Sequence, residues 1–317
     1  MTPLVSIIMP IYNVEEYVEE SLRSICEQSY INTEIIIVDD GSKDQSIHIV
    51  EKMTECYGNV RIIRQDNRGL AAARNVGISE ARGKYVCFID ADDIISNDHI
   101  WNSVEELEKN DGEVCYSDFE VVYEQNRKGN VSKYKGSEYF DKNRLFSDFS
   151  ERKIIILCCG LLINKEYLIV NNILFNENLR YGEDVEFMWR LFSETKGVYH
   201  VKQDSYKYLQ RCNSIMASSS TGKWSSFIEE FSNTIEGLKI RYPEDSKTYE
   251  FVFCRTMLGV IHNIAKRTSK VFFIDFVKKM DLKRIRHVLY SSKCAKTRIS
   301  ALLLLDLRLG YYAYKAI

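Results

Sequence analysis

The sequence predicts an α/β fold, in which a sheet is flanked by helices, followed by a C-terminal helical region. Short apolar runs that end in polar turn residues are typical of buried strands. These runs alternate with segments whose apolar residues recur at helical spacing, which indicates a largely parallel sheet covered on both faces. Beyond about residue 224 only the helical spacing remains, so the chain is expected to end in helices.

Four strand-and-helix repeats fill the first 110 residues. The predicted strands are the apolar runs Val5–Met9, Glu34–Val38, Val60–Arg64 and Tyr85–Ile89. The predicted helices follow at about 15–28, 46–56, 70–81 and 99–110. Ligands of such sheets bind beyond the carboxyl ends of the strands, so the polar residues after each strand are expected to gather at one edge.

The rest of the chain changes from a mixed pattern to a helical one. Strands are predicted at 114–123, 154–163, 198–201 and 205–209, and a helix at 183–194. Further helices are predicted at roughly 224–240, 247–267, 270–279 and 297–315. Ser-Ser-Ser-Thr-Gly near 218–223 favours a domain change, which gives one domain over 1–220 and a helical region over 221–317.

The composition of the 317 residues, 45% hydrophobic and 28% charged, is that of an ordinary globular protein. No apolar run reaches the roughly 18 residues that span a bilayer, and the start lacks the basic leader of a signal peptide. We therefore expect a cytoplasmic protein. The nine cysteines form no CxxC pair and are expected to be buried thiols.

The charge is unevenly distributed along the chain. The net charge is −2, yet the residues from Phe251 onward hold 14 Lys and Arg against 3 Asp and Glu. Two interpretations stay open: a solvated basic helical face, or a surface that meets anionic lipid head groups or another polyanion. The second would place the protein peripherally on the inner face of the plasma membrane. No nucleic-acid partner is expected.

The acidic cluster Asp90, Asp92 and Asp93 follows the fourth predicted strand. Carboxylates so close together repel one another unless a cation lies among them. Hard oxygen ligands suit Mg²⁺ or Mn²⁺, which keep positions open for phosphate oxygens. The sequence therefore favours a metal site here, although a solvated acidic turn or a helix cap remains the alternative.

Polar residues after the first two strands are candidates for binding a nucleoside. Asp39 and Asp40 follow the second strand; one carboxylate could cap the next helix, and the other could accept the N3–H of a uracil. Tyr12, with Asn13 after the first strand, could stack on the base, or could be an ordinary packed residue.

Three later segments carry candidate phosphate and proton-transfer groups. Gly69 opens an alanine-rich helix, where a ligand can approach the backbone N–H groups, and Arg74 could reach a phosphate or the acidic cluster. Glu183 and Asp184 open another helix, where acids are favourable for the dipole alone, but they could also supply a base. Arg211 follows a strand and could contact a diphosphate.

Together these segments resemble the family-2 inverting glycosyltransferases of bacterial cell-surface polysaccharide synthesis. The resemblance covers about residues 4–216 and implies the GT-A fold, a Rossmann-like mixed sheet that binds a nucleotide-sugar. It would divide the first domain into a nucleotide-binding half, 1–110, and an acceptor half, 111–220. The matching segments, in the family's order, are VSIIMPIYNVEEYVEESLRSI, EIIIVDDGSKDQS, QDNRGLAAARNVGI, GKYVCFIDADD, RYGEDVEFMWRL and YLQRCNSIM.

The resemblance also implies a role for each candidate residue. Asp90 and Asp92 would form the D-x-D motif for Mn²⁺ or Mg²⁺, with Asp92 the closer ligand. Asp184 would be the general base, and Glu183 would support it. The nucleotide-sugar would be held by two sets of residues: the nucleoside pocket of Pro10, Tyr12 and Asp40, and the ribose and diphosphate border of Asn67, Gly69 and Arg74.

The expected activity is transfer of a single sugar from a nucleotide-sugar, a UDP-sugar by preference, to an acceptor hydroxyl of a lipid-linked saccharide. The Q-x-x-R-W signature of processive synthases is absent from the sequence. A nucleotidyltransferase would carry a glycine-rich basic loop after the first strand, where this chain has Pro-Ile-Tyr-Asn. An inactive binding module would not need Asp90, Asp92 and Asp184, which are all present.

Overall fold

The computed structural model describes residues 2–123, 128–132, 138–211 and 222–316, with only the backbone at 128–132, 203 and 204. Residues 212–216 of the last matching segment and residues 218–221 of the expected linker lie outside the described residues. The chain divides into two compact units. One comprises Met1–Leu145 with Ile154–Cys212, and the other Phe146–Lys153 with Asn213–Ile317.

The first unit is built on one sheet. In the described part of the chain its strands are β1 (Val5–Ile11), β2 (Thr33–Asp39), β3 (Val60–Arg64), β4 (Tyr85–Phe88), β5 (Ile94–Ile95), β6 (Val114–Tyr123), β7 (Lys128–Ser132), β8 (Glu138–Asp141), β9 (Leu161–Asn164) and β10 (Gly197–Gln210). Eight of them lie in the order β3-β2-β1-β4-β9-β6-β10-β5, while β7 pairs with β6 and β8 with β10.

The strands β1 to β4 form the parallel half of the sheet. β1 lies between β2 and β4, with Ile8 opposite Ile36 on one side and Phe88 on the other. Every residue of β1 is buried, as expected of a strand covered on both faces. The strand order reverses between β1 and β4, which is the switch point where such sheets bind ligands.

The other half makes the sheet mixed, so the predicted fold class is confirmed. β9 runs antiparallel to both β4 and β6, and β10 runs parallel to β6. The two strands predicted at 198–201 and 205–209 form the single strand β10, whose register against β6 shifts between Val201 and Tyr206. That irregularity explains why the apolar alternation is interrupted there.

The long strand predicted at 154–163 was wrong over most of its length. Only Leu161–Asn164 pairs as a strand, and Cys158–Gly160 forms a single 3-10 turn. Ile154 and Ile156 are nevertheless buried. An apolar run reports burial, and burial alone does not distinguish a packed loop from a paired strand.

Helices cover the sheet of the first unit. They are α1 (Val18–Cys26), α2 (Ser46–Thr54), α3 (Leu70–Glu80), α4 (His99–Asn110), α5 (Lys142–Ser150, whose last residues belong to the second unit), α6 (Lys165–Val170) and α7 (Glu183–Glu194). The small residues of α3 let it approach β1 closely: a Cβ at Gly77 would lie 2.2 Å from a methyl carbon of Ile8. This close packing fixes α3, and with it Arg74, against the sheet.

The second unit is helical in its described residues. After α5 its helices are α8 (Gly222–Arg241), α9 (Ser246–Arg267), α10 (Lys270–Lys278), α11 (Leu282–Tyr290), α12 (Ala295–Leu302) and α13 (Leu307–Ala316). The first three agree with the predicted helices. Among the helices described, none combines the length and the apolar character required to cross a membrane.

Two features of this unit differ from the prediction. α11 was missed because it buries only Ile285 and Leu289, too narrow a stripe to stand out in the sequence. The helix predicted over 297–315 is interrupted before α13, where Asp306 Oδ1 accepts from the backbone N–H groups of Arg308 and Leu309 at 2.8 and 3.2 Å. This carboxylate caps a new helix rather than continuing the old one.

Candidate active site

The residues that follow β1 to β4 lie at one edge of the sheet. The N–H of Asp40 donates to the carbonyl oxygen of Ile11 at 3.0 Å, and the N–H of Gln65 donates to that of Asp39 at 2.9 Å. On the other side of β1, the N–H of Ile89 donates to the carbonyl oxygen of Ile8 at 3.0 Å. The four strand ends are therefore held together by their own backbone.

Asp40 is buried and fastens the loop after β3 to the end of β2. Its Oδ1 accepts from Gln65 Nε2 at 2.7 Å and from the N–H of Arg68 at 2.8 Å, and its Oδ2 accepts from the N–H of Gly69 at 2.8 Å. A carboxylate offers about four acceptor positions, so one remains on Oδ2. Asn67 lies exposed in the fastened loop.

Tyr12 stands at the open edge of the sheet, just after β1. Pro10 is buried within that strand opposite Val38, whereas 46% of the Tyr12 surface is exposed. The neighbouring Asn13 accepts at Oδ1 from the N–H of Lys43 at 2.8 Å, which ties this turn to the one after β2. The exposed ring is thus available for stacking beside a fixed backbone.

Arg180 is a site residue that sequence reasoning missed. Gly69 has a φ of +91°, and a Cβ on it would lie 2.0 Å from Arg180 Nη1, so the guanidinium rests directly on the glycine. Any residue other than glycine would be strained at this φ, whether or not the flexible arginine moved aside. The available signal was its place immediately before Tyr-Gly-Glu-Asp, in a segment already matched to the family.

Arg74 is a buried cation surrounded by acidic and thiol groups. Its side chain is 2% exposed, and its Nη2 lies 2.8 Å from Asp90 Oδ1. Its Nη1 lies 3.5 Å from Glu183 Oε1. The thiol of Cys159 donates to Asp90 Oδ2 at 3.0 Å. The guanidinium also lies over the ring of Phe175, 5.1 Å from its centroid.

Asp92 is paired with the other candidate arginine. Arg211 Nε lies 2.7 Å from Asp92 Oδ2, and its guanidinium lies 5.0 Å from the ring centroid of Tyr17. Burial and the negative charge of Asp90 raise the pKa of Asp92 to about 6. Asp90 and Asp92 therefore form a crowded pair of carboxylates, each facing one arginine.

Asp93 has a different surrounding from the other two acids. It is fully buried, accepts from Tyr206 Oη at 2.6 Å and from the N–H of Leu209 at 2.8 Å, and so ties β10 to the end of β4. Burial raises the pKa of this carboxyl well above its usual range. Its hydrogen bonds assign it to the scaffold, although the sequence places it in the same acidic run.

Glu183 and Asp184 lie in the first turn of α7, after Gly182 at a φ of +73°. Burial and the charge of Asp184 raise the pKa of Glu183 to about 7. Burial also raises the pKa of Asp184, against the opposing effect of Arg74. Asp184 Oδ1 accepts from the N–H of Val185 at 2.8 Å. A raised pKa makes a carboxylate a stronger base at neutral pH.

The donor set at the end of β4 fits a hard divalent cation. Within the described ranges no three His, Cys, Asp or Glu side chains converge as a closed metal cage. Mg²⁺ and Mn²⁺ need none, because one or two carboxylates together with water and substrate phosphates complete their shells. Asp90 and Asp92 are two candidate carboxylates for such a shell, and burial together with the charge of Asp90 raises the pKa of Asp92.

Known proteins are similar to this chain over much of its length. The family described as Glycosyl transferase family 2 matches residues 6–168. The chain is 33% identical over 218 residues to the uncharacterized glycosyltransferase EpsJ of Bacillus subtilis, which covers 68% of this chain and 63% of EpsJ. It is 31% identical over 210 residues to the minor teichoic acid biosynthesis protein GgaB of the same organism, which covers 65% of this chain and 23% of GgaB.

A solved structure shares the fold. The structure of S. aureus TarS 1–349 in complex with UDP-GlcNAc superimposes with a TM-score of 0.69 at 18% identity, covering 98% of this chain and 89% of that one. The chain spans less than two thirds of the length of EpsJ and GgaB. From the matched residues and the relatives, the chain belongs to glycosyl transferase family 2.

Proposed function

We propose that the chain is a metal-dependent inverting glycosyltransferase that moves one sugar from a UDP-sugar to a saccharide hydroxyl. The observation that carries the proposal is the buried Arg74, which contacts Asp90 at 2.8 Å and Glu183 at 3.5 Å. The acids expected to act on the donor and on the acceptor are thereby held around one cation. Such preorganised charges are what a displacement reaction requires.

The donor assignment is supported by the edge of the sheet and by a relative. Tyr12 offers an exposed ring, and Asp40 keeps one acceptor position for the N3–H of uracil. The N–H groups after Gly69 and the guanidinium of Arg180 offer donors to a diphosphate. TarS, which shares the fold, has been solved with UDP-GlcNAc.

Asp90 and Asp92 would hold the Mn²⁺ or Mg²⁺ ion, with Asp92 the closer ligand. The ion would neutralise charge that develops on the departing diphosphate. Arg211, which pairs with Asp92 at 2.7 Å, would offer its guanidinium to the diphosphate. Arg74 keeps Asp90 oriented throughout, since it is too deeply buried to leave.

Asp184 would act as the general base. It removes the proton of the acceptor hydroxyl while that oxygen attacks the anomeric carbon of the sugar. The bond between the anomeric carbon and the diphosphate oxygen breaks, and its electron pair leaves with UDP. A single displacement inverts the anomeric centre. Burial and the charge of Asp184 raise the pKa of Glu183 to about 7. Glu183 supports Asp184 by holding Arg74.

The proposed acceptor is a lipid-linked saccharide in cell-surface polysaccharide synthesis. GgaB is named as a minor teichoic acid biosynthesis protein, which supports this class of product. The missing Q-x-x-R-W signature supports one transfer per encounter. The excess of Lys and Arg after Phe251 supports peripheral binding of the helical unit to an anionic membrane surface.

Two measurements test the donor and the metal. Calorimetric titration with UDP, GDP and ADP should give the tightest binding for UDP, and tighter binding of GDP would reject the nucleoside assignment. UDP release from a panel of UDP-sugars should require Mn²⁺ or Mg²⁺ and stop in EDTA. Equal turnover in EDTA would reject the metal-dependent mechanism.

A further inference from the structure

The helical unit contains a groove that the catalytic proposal does not use. Its volume is about 850 Å³, and it lies between the start of α9, the face of α11 and the turn that joins α12 to α13. All lining residues belong to the second unit, among them Lys247, Glu250, Lys283, Arg286, Leu302 and Leu305. This volume suits a small molecule or one end of a larger one.

One part of the groove is apolar and open to solvent. Phe251 and Val288 line it together with Leu302 and Leu305, which are 46% and 67% exposed. Tyr290 at the same groove is 66% exposed. Several large apolar side chains that line one concave surface mark a binding site more often than scattered exposure does.

The other part of the groove is cationic. Lys247, Lys283 and Arg286 line it beside His287, and among the described residues no carboxylate lies within ion-pair distance of these four. Among the described residues, the guanidinium of Arg286 makes one hydrogen bond, to the carbonyl oxygen of Leu304 at 3.4 Å. In the described part of this unit, three positive charges therefore line the groove without an acidic partner.

The one acid of the groove does not cancel these charges. Glu250 is already bonded to Lys239 and to Arg284, whose Nη2 donates to Glu250 Oε2 at 2.6 Å. These contacts, led by the hydrogen bond from Arg284, lower the pKa of Glu250 to about 2. Its charge is thus compensated outside the groove, and the groove keeps a positive field.

We propose that this groove is a binding site for a single phosphate-bearing amphiphile. The phosphate lies among Lys247, Lys283 and Arg286, and the alkyl part lies along Leu302 and Leu305. Both parts of the ligand follow from charge complementarity and from the apolar lining. The inference rests on the proposed membrane binding of the helical unit and deepens it, because it names one site and one ligand class.

The proposal is tested with monomeric probes on the full chain. Dihexanoyl phosphatidic acid, kept below its micelle concentration, is compared by calorimetry with dihexanoyl phosphatidylcholine and with glycerol 3-phosphate. We expect the phosphatidic acid to bind at least about tenfold more tightly than either, since it alone satisfies both parts of the groove. Equal binding of glycerol phosphate or of the choline lipid would overturn the proposal, as would no binding at all.

Variants locate the site. Lys247→Glu with Lys283→Glu should weaken binding of the phosphatidic acid at least about tenfold, and Leu302→Ser with Leu305→Ser should weaken it as well. The matched control is Lys278→Glu with Lys296→Glu, two exposed cations of the same unit outside the groove, which should bind as the parent does. All variants should show the circular dichroism of the parent.

The outcomes separate this site from general membrane binding. Equal loss in the groove variant and in the control would reject a defined site. If anionic vesicles bind but the monomeric probe does not, the groove proposal fails and the membrane proposal stands. If the probe binds but vesicles do not, the membrane proposal fails and the groove remains a site for a monomeric ligand.

Discussion

Arg74 Nη2 lies 2.8 Å from Asp90 Oδ1, with only 2% of the arginine side chain exposed. The helix α3 that carries Arg74 packs closely on β1 through Gly77 and Ile8, and Arg74 is buried. Its second contact, to Glu183 at 3.5 Å, joins the end of β4 to the start of α7. One buried cation therefore sets the spacing between the D-x-D acid and the acids of the helix.

The first prediction follows from that burial. Arg74→Met should lower the free energy of unfolding by about 3–5 kcal/mol, because it leaves two partly buried carboxylates without their cation. Arg64→Met is the control: it breaks an exposed pair with Glu51 and should change stability by less than about 1 kcal/mol. Urea titration measures both. Equal losses in the two variants would show that Arg74 is not the central cation of the site.

A second prediction concerns the proposed metal ligand. Asp92→Asn should abolish Mn²⁺-dependent turnover, because the closer carboxylate is lost. The fold should persist, since burial and Asp90 raise the pKa of Asp92 to about 6 and its ionised form is therefore not favoured by the fold. UDP release with a Mn²⁺ titration and thermal melting provide the two readouts.

The neighbouring acid supplies the matched control. Asp93→Asn should keep the dependence on Mn²⁺ and change mainly the stability, because Asp93 bonds Tyr206 and the backbone of Leu209. If Asp92→Asn retained near-normal turnover with an unchanged metal requirement, the end of β4 would not be the metal site.

The third prediction separates the two acids of α7. Asp184→Asn should remove sugar transfer and leave UDP affinity close to that of the parent, since a base acts on the acceptor. Glu183→Gln should retain part of the transfer and alter its pH profile, because it removes a titrating carboxyl. The pKa of that carboxyl is raised to about 7 by burial and by the charge of Asp184. A collapse of UDP affinity in Asp184→Asn would assign Asp184 to the donor site instead.

The parallel half of the sheet and its edge could be predicted from the sequence because both depend on local patterns. Four mainly apolar runs, each followed by polar residues, define β1 to β4, and parallel strands bring their carboxyl ends together. The order β3-β2-β1-β4 then places the residues after these strands at one edge. The candidate residues Tyr12, Asp40 and Asp90 were found in this way.

What could not be predicted depends on contacts between distant residues. The sequence does not reveal that Asp40 accepts three hydrogen bonds from the loop after β3. Nor does it reveal that Asp93 accepts a hydrogen bond from Tyr206 while Asp92 pairs with Arg211. The same holds for Arg180, whose contact with Gly69 exists only in the folded chain. Burial of Ile154 and Ile156 without strand pairing is a further case.

A fourth prediction is a loss of stability in acid. Burial lowers the pKa of His99 from 6.5 to about 4, so the unfolded chain binds the extra proton first. The stabilisation is complete above about pH 6.5 and is lost as the pH falls towards about 4, a change of about 3 kcal/mol. His99 Nδ1 lies 2.7 Å from Ser205 Oγ, so Asn is the conservative replacement.

The measurement is the slope of unfolding free energy against pH. His99→Asn should remove about one proton from that slope between pH 6.5 and 4, whereas His48→Asn, at an exposed position of α2, should leave the slope unchanged. Burial also lowers the pKa of His262 to about 4. Because both variants keep His262, its contribution to the slope cancels in the comparison. Identical slopes for the two variants would contradict the prediction.

The last prediction concerns membrane binding by the helical unit. Of the apolar groups after Phe251, Phe273 and Tyr314 are buried, while Val271, Leu309 and Tyr312 are 80%, 62% and 59% exposed. Exposed apolar side chains beside Lys and Arg are typical of surfaces that lie in the membrane interface. Each cation near an anionic surface contributes about 1 kcal/mol, so a few that face one way hold the protein reversibly.

Co-sedimentation with vesicles decides whether these side chains act in that way. Binding should rise with the fraction of anionic lipid and fall in high salt, where the Debye length shrinks from about 10 Å at 0.1 M to about 3 Å at 1 M. Arg308→Glu with Leu309→Ser, both exposed on α13, should reduce binding, and Lys43→Glu in the first unit should not. Equal recovery in the supernatant with neutral and anionic vesicles at low salt would instead mean that the positive charge of this unit is simply solvated.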